Sequence, residues 1–261
     1  MTKAFKLVAF DIDDTLIGID GRIAPDDLAA IHRCMDEGIE VILVTGRTRP
    51  TTLPIAEQIG RPMSMICGTG GVIYAEDGRI LQRLTVPLSI AKEILHRMRE
   101  DDVPVRVDAD RKFIFTHRPP APLLSYDPVV EPDIADRLAT APDQIVVFGR
   151  EETEWVIKQF SYLQGDVQLL VLPSHDEPNV VHILHPRATK GAALADYCHW
   201  RGIRREETVA FGDSLNDFTM LSYAGLGVAV ADSEARLRLG ADKVMTPGET
   251  LADVLSEYVL A

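Results

Sequence analysis

Short apolar runs alternate with helical periodicity in the first seventy residues. Residues 7–10, 41–44 and 63–67 are largely apolar, which is typical of strands buried on both faces of a sheet. Helical patterns lie between them, one over residues 25–37 and another that ends at Gly60. This alternation predicts a doubly wound parallel sheet with helices on both faces.

The pattern changes near residue 70 and changes back near residue 190. In the middle of the chain, strand-like runs and helices follow an α+β pattern. The predicted strands are 72–74, 79–81, 103–107, 113–115, 144–148, 168–172 and 180–184, and the helices are 89–100 and 152–164. The α/β alternation then resumes, with helices at 191–200, 216–223, 234–239 and 251–259 and strands at 208–211, 227–230 and 243–245. The predicted fold class is therefore α/β. A Rossmann-like core is built from residues 1–84 and 186–261, and an α+β module over 85–185 is inserted into it.

Composition sets the broad class of protein. The chain has 261 residues, of which 46% are hydrophobic and 26% charged, and these values suit a globular protein with a core of its own. The formal net charge of -13 disfavours binding to nucleic acid, which depends on Lys and Arg contacts to phosphate. Most of the acidic residues are expected to form a solvated surface.

Cysteine spacing and hydropathy point to the cytoplasm. Cys34, Cys67 and Cys198 are odd in number and show no CxxC spacing, so we expect reduced, mostly buried thiols. The first residues show no signal-peptide pattern, and no apolar stretch is long enough to span a membrane.

Four polar segments, each after or beside a strand-like run, carry the candidate chemistry. They are Asp11-Ile12-Asp13-Asp14-Thr15-Leu16, Thr45-Gly46-Arg47, Lys190-Gly191 and Gly212-Asp213-Ser214-Leu215-Asn216-Asp217. Ligands of open α/β sheets bind at the carboxyl ends of the strands. We therefore expect these segments to meet in one site.

The residue types suit a phosphate ester and a magnesium ion. Of the two carboxylates Asp11 and Asp13, one can attack phosphorus while the other protonates the leaving oxygen. Mg²⁺ prefers hard oxygen ligands, which Asp11 and Asp213 supply, with Asp217 nearby. Single residues of these segments can also be ordinary caps or turn residues, and Asp14 and Thr15 fit that interpretation.

Positive charge and hydrogen-bond donors complete the predicted site. Lys190 supplies a point charge for phosphoryl oxygens, and Thr45 with the Gly46 backbone supplies donors. This positive charge is needed because a carboxylate and a phosphate dianion repel each other.

Together the four segments resemble the motifs of the haloacid dehalogenase superfamily of phosphohydrolases. The Thr45-Gly46-Arg47 and Lys190-Gly191-Ala192-Ala193-Leu194 runs and the inserted module resemble the Cof-type branch, in which the insert is a C2 cap that sets substrate specificity. The resemblance implies that Asp11 is the nucleophile and forms an aspartyl-phosphate. It also implies that Asp13 is the general acid and then the base.

The same resemblance assigns the remaining residues. Mg²⁺ would be held by Asp11, Asp13 through its backbone carbonyl, and Asp213, with Asp217 positioning Lys190 or the waters of the metal. The phosphate- and substrate-binding residues it implies are Thr45, Gly46, Arg47, Lys190 and Asn216.

Two segments depart from the family pattern at the substrate end of the site. Gly68-Thr69-Gly70-Gly71 stands where the family usually has Asn-Gly-Ala, so a substrate contact by an Asn is lost, although Thr69 can still hydrogen-bond. Ala231-Asp232-Ser233 replaces the common Gly-Asn-Ala.

Weaker candidates lie in the inserted module. His182 and His185 are three apart, which on a strand places them on opposite faces and disfavours a shared metal. Arg106, Arg111, Lys112 and Arg118 could meet an anionic substrate, although such residues are more often solvated.

The sequence therefore predicts a Mg²⁺-dependent phosphatase that acts on a small phosphorylated metabolite, such as a sugar phosphate or a phosphoglycerate-type ester. A phosphomutase of similar fold and a non-catalytic phosphometabolite-binding protein are the alternatives. Partners among nucleic acids or membranes are not expected, and the pattern does not fix the oligomeric state.

Overall fold

A computed structural model describes residues 5–109, 112–119, 128–172 and 179–260. The chain divides into two compact units. Unit 1 consists of Met1–Gln82 and Thr189–Ala261, and unit 2 consists of Arg83–Ala188. The ends of unit 2 lie within a few residues of the predicted limits of the insert.

The described residues form strands and helices that match most of the predicted elements. In chain order the strands are β1 Leu7–Phe10, β2 Glu40–Val44, β3 Met65–Cys67, β4 Val72–Tyr74, β5 Ile80–Arg83, β6 Arg106–Ala109, β7 Lys112–Phe115, β8 Val129–Val130, β9 Gln144–Phe148, β10 Gln168–Leu172, β11 Val180–Leu184, β12 Thr208–Gly212, β13 Leu226–Ala229 and β14 Lys243–Val244. The α-helices are α1 Pro25–Asp36, α2 Arg49–Ile59, α3 Leu88–Glu100, α4 Ile134–Arg137, α5 Arg150–Phe160, α6 Lys190–Arg201, α7 Phe218–Tyr223, α8 Ala235–Arg238 and α9 Leu251–Val254.

Unit 1 is built on a sheet with the strand order β14-β13-β12-β1-β2-β3-β4-β5. The strands from β14 to β3 run parallel, and β4 pairs antiparallel with β3. Alternate residues of β1 enter different cores. Phe10 packs in a core with side chains of α1, α2 and α9, while Ala9 packs in another core with side chains of α6, α7 and α8. The fold class is thus confirmed as an α/β fold whose sheet is covered on both faces.

Unit 2 contains a sheet with the order β10-β11-β9-β6-β7-β8. Its neighbouring strands are antiparallel apart from the β7–β8 pair, so the pattern is α+β. Alternate residues such as Val107, Ile145 and Ile183 share one buried core with side chains of α3 and α5.

Local differences from the predicted elements have simple causes. The strand expected at 103–107 begins at Arg106 and ends at Ala109, because Pro104 removes a ladder donor from the earlier stretch. The short elements β8 and α4 were not predicted, since two and four residues carry too little periodicity. The last predicted helix continues past α9 as a π-helical turn, Leu255–Val259.

No helix of the described segments has the length and apolar character to cross a membrane. Cys34, Cys67 and Cys198 are buried thiols outside any disulfide, as predicted.

Candidate active site

Three adjacent parallel strands bring distant polar residues to one edge of the unit 1 sheet. Strand β1 lies between β12 and β2, and Phe10 is in register with both Phe211 and Leu43. Asp11 directly follows β1 and donates its backbone N–H to the carbonyl oxygen of Phe211 at 3.0 Å. Thr45 follows β2 in the same way. The register therefore places Asp11 and Thr45 at the same edge of the sheet, where the residues that follow β12 also lie.

Lys190 links two carboxylates inside the protein. It is the first residue of α6, whose N-terminus is capped by the Thr189 side chain, and it has no solvent exposure. Its Nζ lies 2.6 Å from Asp11 Oδ1 and 2.5 Å from Asp217 Oδ1. Asp11 and Asp217 are themselves buried. A buried cation with two carboxylate partners is a fixed charge, so Lys190 has little freedom to move.

The electrostatics of the cluster are dominated by burial and by like charges. Burial and the neighbouring Asp217 raise the pKa of Asp11 well above its usual range, an effect that Lys190 partly offsets. Burial, again with Asp217, raises the pKa of Asp213 to about 6. Burial by itself lowers the pKa of Lys190, but Asp11 and Asp217 outweigh it and the pKa is raised. Lys190 therefore stays protonated, whereas the raised pKa values of Asp11 and Asp213 favour their neutral forms when no cation is bound.

Asp217 also fixes the loop that carries Asp213. Its Oδ2 accepts hydrogen bonds from the backbone N–H groups of Asp213 and Ser214, both at 3.1 Å. Gly212 precedes this loop, and a Cβ there would lie 2.5 Å from the Asp217 Cβ. Glycine is therefore required at this position for Asp217 to reach both Lys190 and the loop.

The structure brings Asp11, Asp213 and Asp217 into one possible metal site. Each offers a carboxylate oxygen, and these oxygens all lie within 4.8 Å of one another. Thr15 donates to Asp213 Oδ1 at 3.2 Å, so this residue, which fitted a turn in the sequence, orients a member of the cluster. The sign of this role in the sequence is that Thr15 belongs to the same polar segment as Asp11.

The Asp13 carboxylate does not belong to this cluster. It is half exposed and forms an ion pair with Arg47, whose Nε donates to Asp13 Oδ2 at 2.9 Å and whose Nη2 donates to Oδ1. Asp13 can therefore join the predicted metal ligands only through its backbone carbonyl, as the resemblance implies.

The Thr45 loop lies beside the turn that departs from the family pattern. The backbone N–H of Arg47 donates to Thr45 Oγ1 at 3.1 Å, and that of Thr69 donates to the Thr45 carbonyl at 3.0 Å. Thr69 is buried with φ of 56°, a left-handed conformation that is strained for a β-branched residue. Its Oγ1 is buried without a hydrogen-bond partner in the described part of the chain and lies close to Gly46.

Asn216 lies in the single 3₁₀ turn that follows Ser214. Its Oδ1 accepts a hydrogen bond from Ser214 Oγ at 2.7 Å, and the side chain is partly exposed. It sits beside Asp217, so the turn carries both residues to the same sheet edge.

The second departure lines a cavity next to the carboxylate cluster. Ala231 and Asp232 border a space of about 310 Å³ together with Asp14 and Thr15. Because Thr15 also binds Asp213, these substituted residues lie close to the site.

Several of the weaker candidates of unit 2 have structural partners. His182 is buried and its Nδ1 lies 3.0 Å from Gln144 Oε1, while His185 follows the end of β11. Arg106 pairs with both oxygens of Asp108 at 2.8 and 3.1 Å. Lys112 is exposed at the start of β7, Arg118 also has an interaction partner, and Arg111 lies outside the described residues.

Comparison with known proteins gives consistent results over nearly the whole chain. A family model described as haloacid dehalogenase-like hydrolase matches residues 8–254. The HMP-PP phosphatase of Serratia proteamaculans is 26% identical over an alignment of 270 positions that covers 98% of this chain and 94% of that protein. The phosphoglycolate phosphatase of Methanobrevibacter smithii is 26% identical over 258 residues, or 97% and 98% of the two chains.

A solved structure shows the same fold. The crystal structure of a protein from Thermotoga maritima matches with a TM-score of 0.84 at 22% identity, covering 97% of both chains. At this identity the similarity concerns the architecture alone.

Proposed function

The chain belongs to the haloacid dehalogenase-like hydrolases, and from this premise we propose that it is a phosphatase of small phosphomonoesters that works through an aspartyl-phosphate on Asp11. The observation that carries the proposal is the buried group formed by Lys190, Asp11 and Asp217, with Asp213 beside it. Burying several charges in this way costs stability, so such an arrangement is expected where it serves chemistry.

A magnesium ion fits the donor set. Three carboxyl groups face one ammonium group, and burial together with the charge of Asp217 raises the pKa of Asp213, so a bound cation would favour the ionised forms of these groups. Hard oxygen donors of this kind suit Mg²⁺. Asp11, Asp213 and Asp217 would hold the ion through their side chains and Asp13 through its backbone carbonyl. When bound, the ion would neutralise charge on the transferring phosphoryl group.

The residues of the chain divide the two half-reactions between them. In the first, a carboxylate oxygen of Asp11 bonds to phosphorus, the bond from phosphorus to the leaving oxygen breaks, and Asp13 gives that oxygen its proton. In the second, Asp13 takes a proton from water, the water oxygen bonds to phosphorus, and the Asp11 carboxylate is released together with inorganic phosphate. Lys190 and Thr45, with the Gly46 backbone and Asn216, would hold the phosphoryl oxygens.

Small phosphorylated metabolites are the substrate class that we infer. The relatives are named for the dephosphorylation of HMP-PP and phosphoglycolate, both small phosphate compounds. We propose that the chain acts on a sugar phosphate or phosphoglycerate-type ester, and that unit 2 serves as the cap that selects it. A cytoplasmic location is the setting in which we expect the buried thiols to stay reduced.

Phosphate release tests the proposed function. The purified protein should release inorganic phosphate from p-nitrophenyl phosphate with Mg²⁺, lose this activity in EDTA and regain it when Mg²⁺ is restored. Indifference to chelation would remove the metal from the proposal. A requirement for a bisphosphate without net phosphate release would instead identify a phosphomutase.

The nucleophile has its own test. Asp11→Asn keeps the size of the side chain but removes the attacking carboxylate, so turnover should be lost while the fold is retained. Mass spectrometry of acid-quenched wild-type protein should find the phosphoryl adduct on Asp11, and the variant should lack it. Turnover by a folded Asp11→Asn protein would contradict the assignment.

A further inference from the structure

The guanidinium of Arg47 donates three of its five N–H groups to protein acceptors, at least one from each nitrogen. Its Nε and Nη2 donate to the two carboxylate oxygens of Asp13, and its Nη1 lies 3.3 Å from the Thr51 carbonyl oxygen. The resemblance assigns Arg47 to phosphate or substrate binding, but these contacts use donors on all three nitrogens. We propose that Arg47 is instead a positioning residue, which holds the Asp13 carboxylate for proton transfer and does not bind the phosphoryl group. This inference rests on the proposed function.

Asp13 needs such a partner because its environment provides little restraint. Its side chain is 54% exposed, whereas that of Arg47 is 30% exposed. An exposed carboxylate turns freely about its side-chain torsions, and this freedom is lost when both oxygens are bound by the two parallel donors of one guanidinium. The pair therefore fixes the direction in which Asp13 presents its oxygens. When one oxygen carries the proton for the leaving group, the other can still accept from the guanidinium and keep the carboxyl group in place.

Arg47 is itself held by the loop that carries the proposed phosphate ligands. Its backbone N–H donates to Thr45 Oγ1 at 3.1 Å, and its carbonyl accepts from the Gly68 N–H at 2.8 Å. The side chain thus extends from an anchored backbone towards Asp13, which lies on a different loop. This bridge relates the position of the proton-transfer group to that of Thr45.

The effect of a well-placed Asp13 on the rate depends on the leaving group. A general acid accelerates a reaction by roughly 10²–10⁴-fold when it is well placed, and a misplaced group can cost about 10²-fold. The benefit is greatest for a poor leaving group, such as phenol with a pKa of about 10. It is small for p-nitrophenol, which leaves readily as an anion. Phenyl phosphate and p-nitrophenyl phosphate are similar in shape, so they differ mainly in their need for Asp13.

Arg47→Gln separates positioning from phosphate binding. The kinetic constant to compare is kcat/KM, which includes the steps only as far as departure of the leaving group. We expect kcat/KM to fall about 100-fold with phenyl phosphate and no more than about 5-fold with p-nitrophenyl phosphate. Loss of a phosphate ligand would lower both values equally, because the two substrates carry the same phosphoryl group.

Inhibition by inorganic phosphate gives a second readout. The competitive inhibition constant should stay within about twofold in Arg47→Gln, whereas Thr45→Val should raise it about tenfold or more because a proposed phosphate donor is lost. Asp13→Asn/Arg47→Gln should be no slower with phenyl phosphate than Asp13→Asn alone, since Arg47 acts through Asp13.

Two further variants control for charge and stability. Arg61→Gln removes a comparable exposed ion pair, to Asp36 at 2.6 Å. It should change neither the ratio of kcat/KM between the two substrates nor the inhibition constant of inorganic phosphate. Arg47→Lys keeps the charge without the two-pronged donor, so it should show the same selective loss with phenyl phosphate. Melting temperatures of these variants should stay within about 3 °C of wild type, because exposed pairs contribute little stability.

If Arg47→Gln lowered kcat/KM equally with both substrates and weakened inhibition by phosphate, the positioning role of Arg47 would be overturned. The proposed phosphatase function would not be affected by that result. A wild-type protein that releases phosphate from neither substrate would contradict the proposed function, and the role of Arg47 with it. The selective loss with phenyl phosphate supports both.

Discussion

The Nζ of Lys190 lies 2.6 Å from Oδ1 of Asp11, although 179 positions separate the two residues in the chain. Strand β1 and helix α6 bring them together at the carboxyl edge of the unit 1 sheet. The same Nζ contacts Asp217, so one buried cation holds carboxylates from two separate segments. Removing it should therefore affect stability as well as activity.

Lys190→Met should destabilise the protein and remove its activity. The substitution leaves Asp11 and Asp217 buried without their cation, and loss of one partner from a buried ion pair costs about 3–5 kcal/mol. We expect this loss in the free energy of unfolding in EDTA at pH 8. It should be smaller at pH 5, because protonation of Asp11, whose pKa is already raised by burial, removes the unpaired charge.

Urea unfolding of wild type and variant at the two pH values measures the effect. Lys243→Met is the matched control, since Lys243 pairs with Glu249 at 2.8 Å in a more exposed setting and should cost about 1 kcal/mol or less. Equal destabilisation by both substitutions would show that the buried ion pairs of Lys190 contribute no more to stability than the more exposed pair of Lys243.

The stability of the metal-free protein should change with pH because of Asp213. Burial and Asp217 raise its folded-state pKa to about 6, above the value of 3.8 for an exposed aspartate. Above pH 6 the folded state carries an unfavourable charge, and this penalty disappears as the pH falls through 6 towards 4. The group therefore contributes about 2.5 kcal/mol more stability at pH 4 than at pH 7.

Added Mg²⁺ should reverse this trend. A cation that binds the carboxylates stabilises the folded state where they are charged, so the rise in melting temperature should be large at pH 7.5 and small at pH 5. Asp213→Asn should reduce both the pH dependence and the Mg²⁺ response. A melting temperature that responds equally to Mg²⁺ at both pH values would argue against this site.

Gly212→Ala tests the close approach of β12 to Asp217. The added methyl would lie 2.5 Å from the Asp217 Cβ, so the side chain must move away from Lys190 or from the Asp213 loop. We expect a loss of about 1–3 kcal/mol from overpacking and a fall in kcat of about 100-fold from misplacement of the cluster.

Gly21→Ala is the control for Gly212→Ala. Gly21 has φ of 69° with open space around its Cβ position, so substitution there carries the backbone penalty without a steric clash. It should lower stability by about 1 kcal/mol and leave kcat unchanged. If Gly212→Ala kept full activity, the contact would not control the site.

Much of the core fold follows from the sequence because its signals are local. The buried strands β1 and β2 read as continuous apolar runs, and α1 begins at Pro25 with regular periodicity. Unit 2 is less predictable, since β8 and α4 contain two and four residues. Their existence depends on pairing with β7 and contact with α3, which no local pattern records.

Local patterns also identified which residues to consider for the site but not how they pair. The ends of β1 and β12 bring Asp11 and Asp213 to one sheet edge, and the N-terminus of α6 brings Lys190 to the same place, as the polar segments predict. The sequence gives no sign that Asp13 is bound by Arg47 and lies apart from the carboxylate cluster. That pairing depends on the turn geometry of two loops, which spacing does not specify.

His182 should make the protein sensitive to acid. Burial, with a further effect of Arg106, lowers its folded-state pKa to about 4, against 6.5 for an exposed histidine. Between pH 6.5 and 4 the unfolded chain binds a proton that the folded state excludes, so this group destabilises the fold progressively as the pH falls. The expected contribution reaches about 3 kcal/mol at pH 4, opposite in direction to that of Asp213.

His182→Gln isolates this contribution because glutamine does not titrate and can still hydrogen-bond to Gln144, which His182 contacts at 3.0 Å. The difference in unfolding free energy between wild type and variant should change by about 3 kcal/mol in favour of the variant from pH 7 to pH 4. His199→Gln makes the same substitution at an exposed position and controls for the change of residue type. Parallel curves for wild type and His182→Gln would mean that the buried imidazole takes up its proton without cost. Diverging curves would show that a side chain considered for metal binding instead limits the stability of the protein in acid.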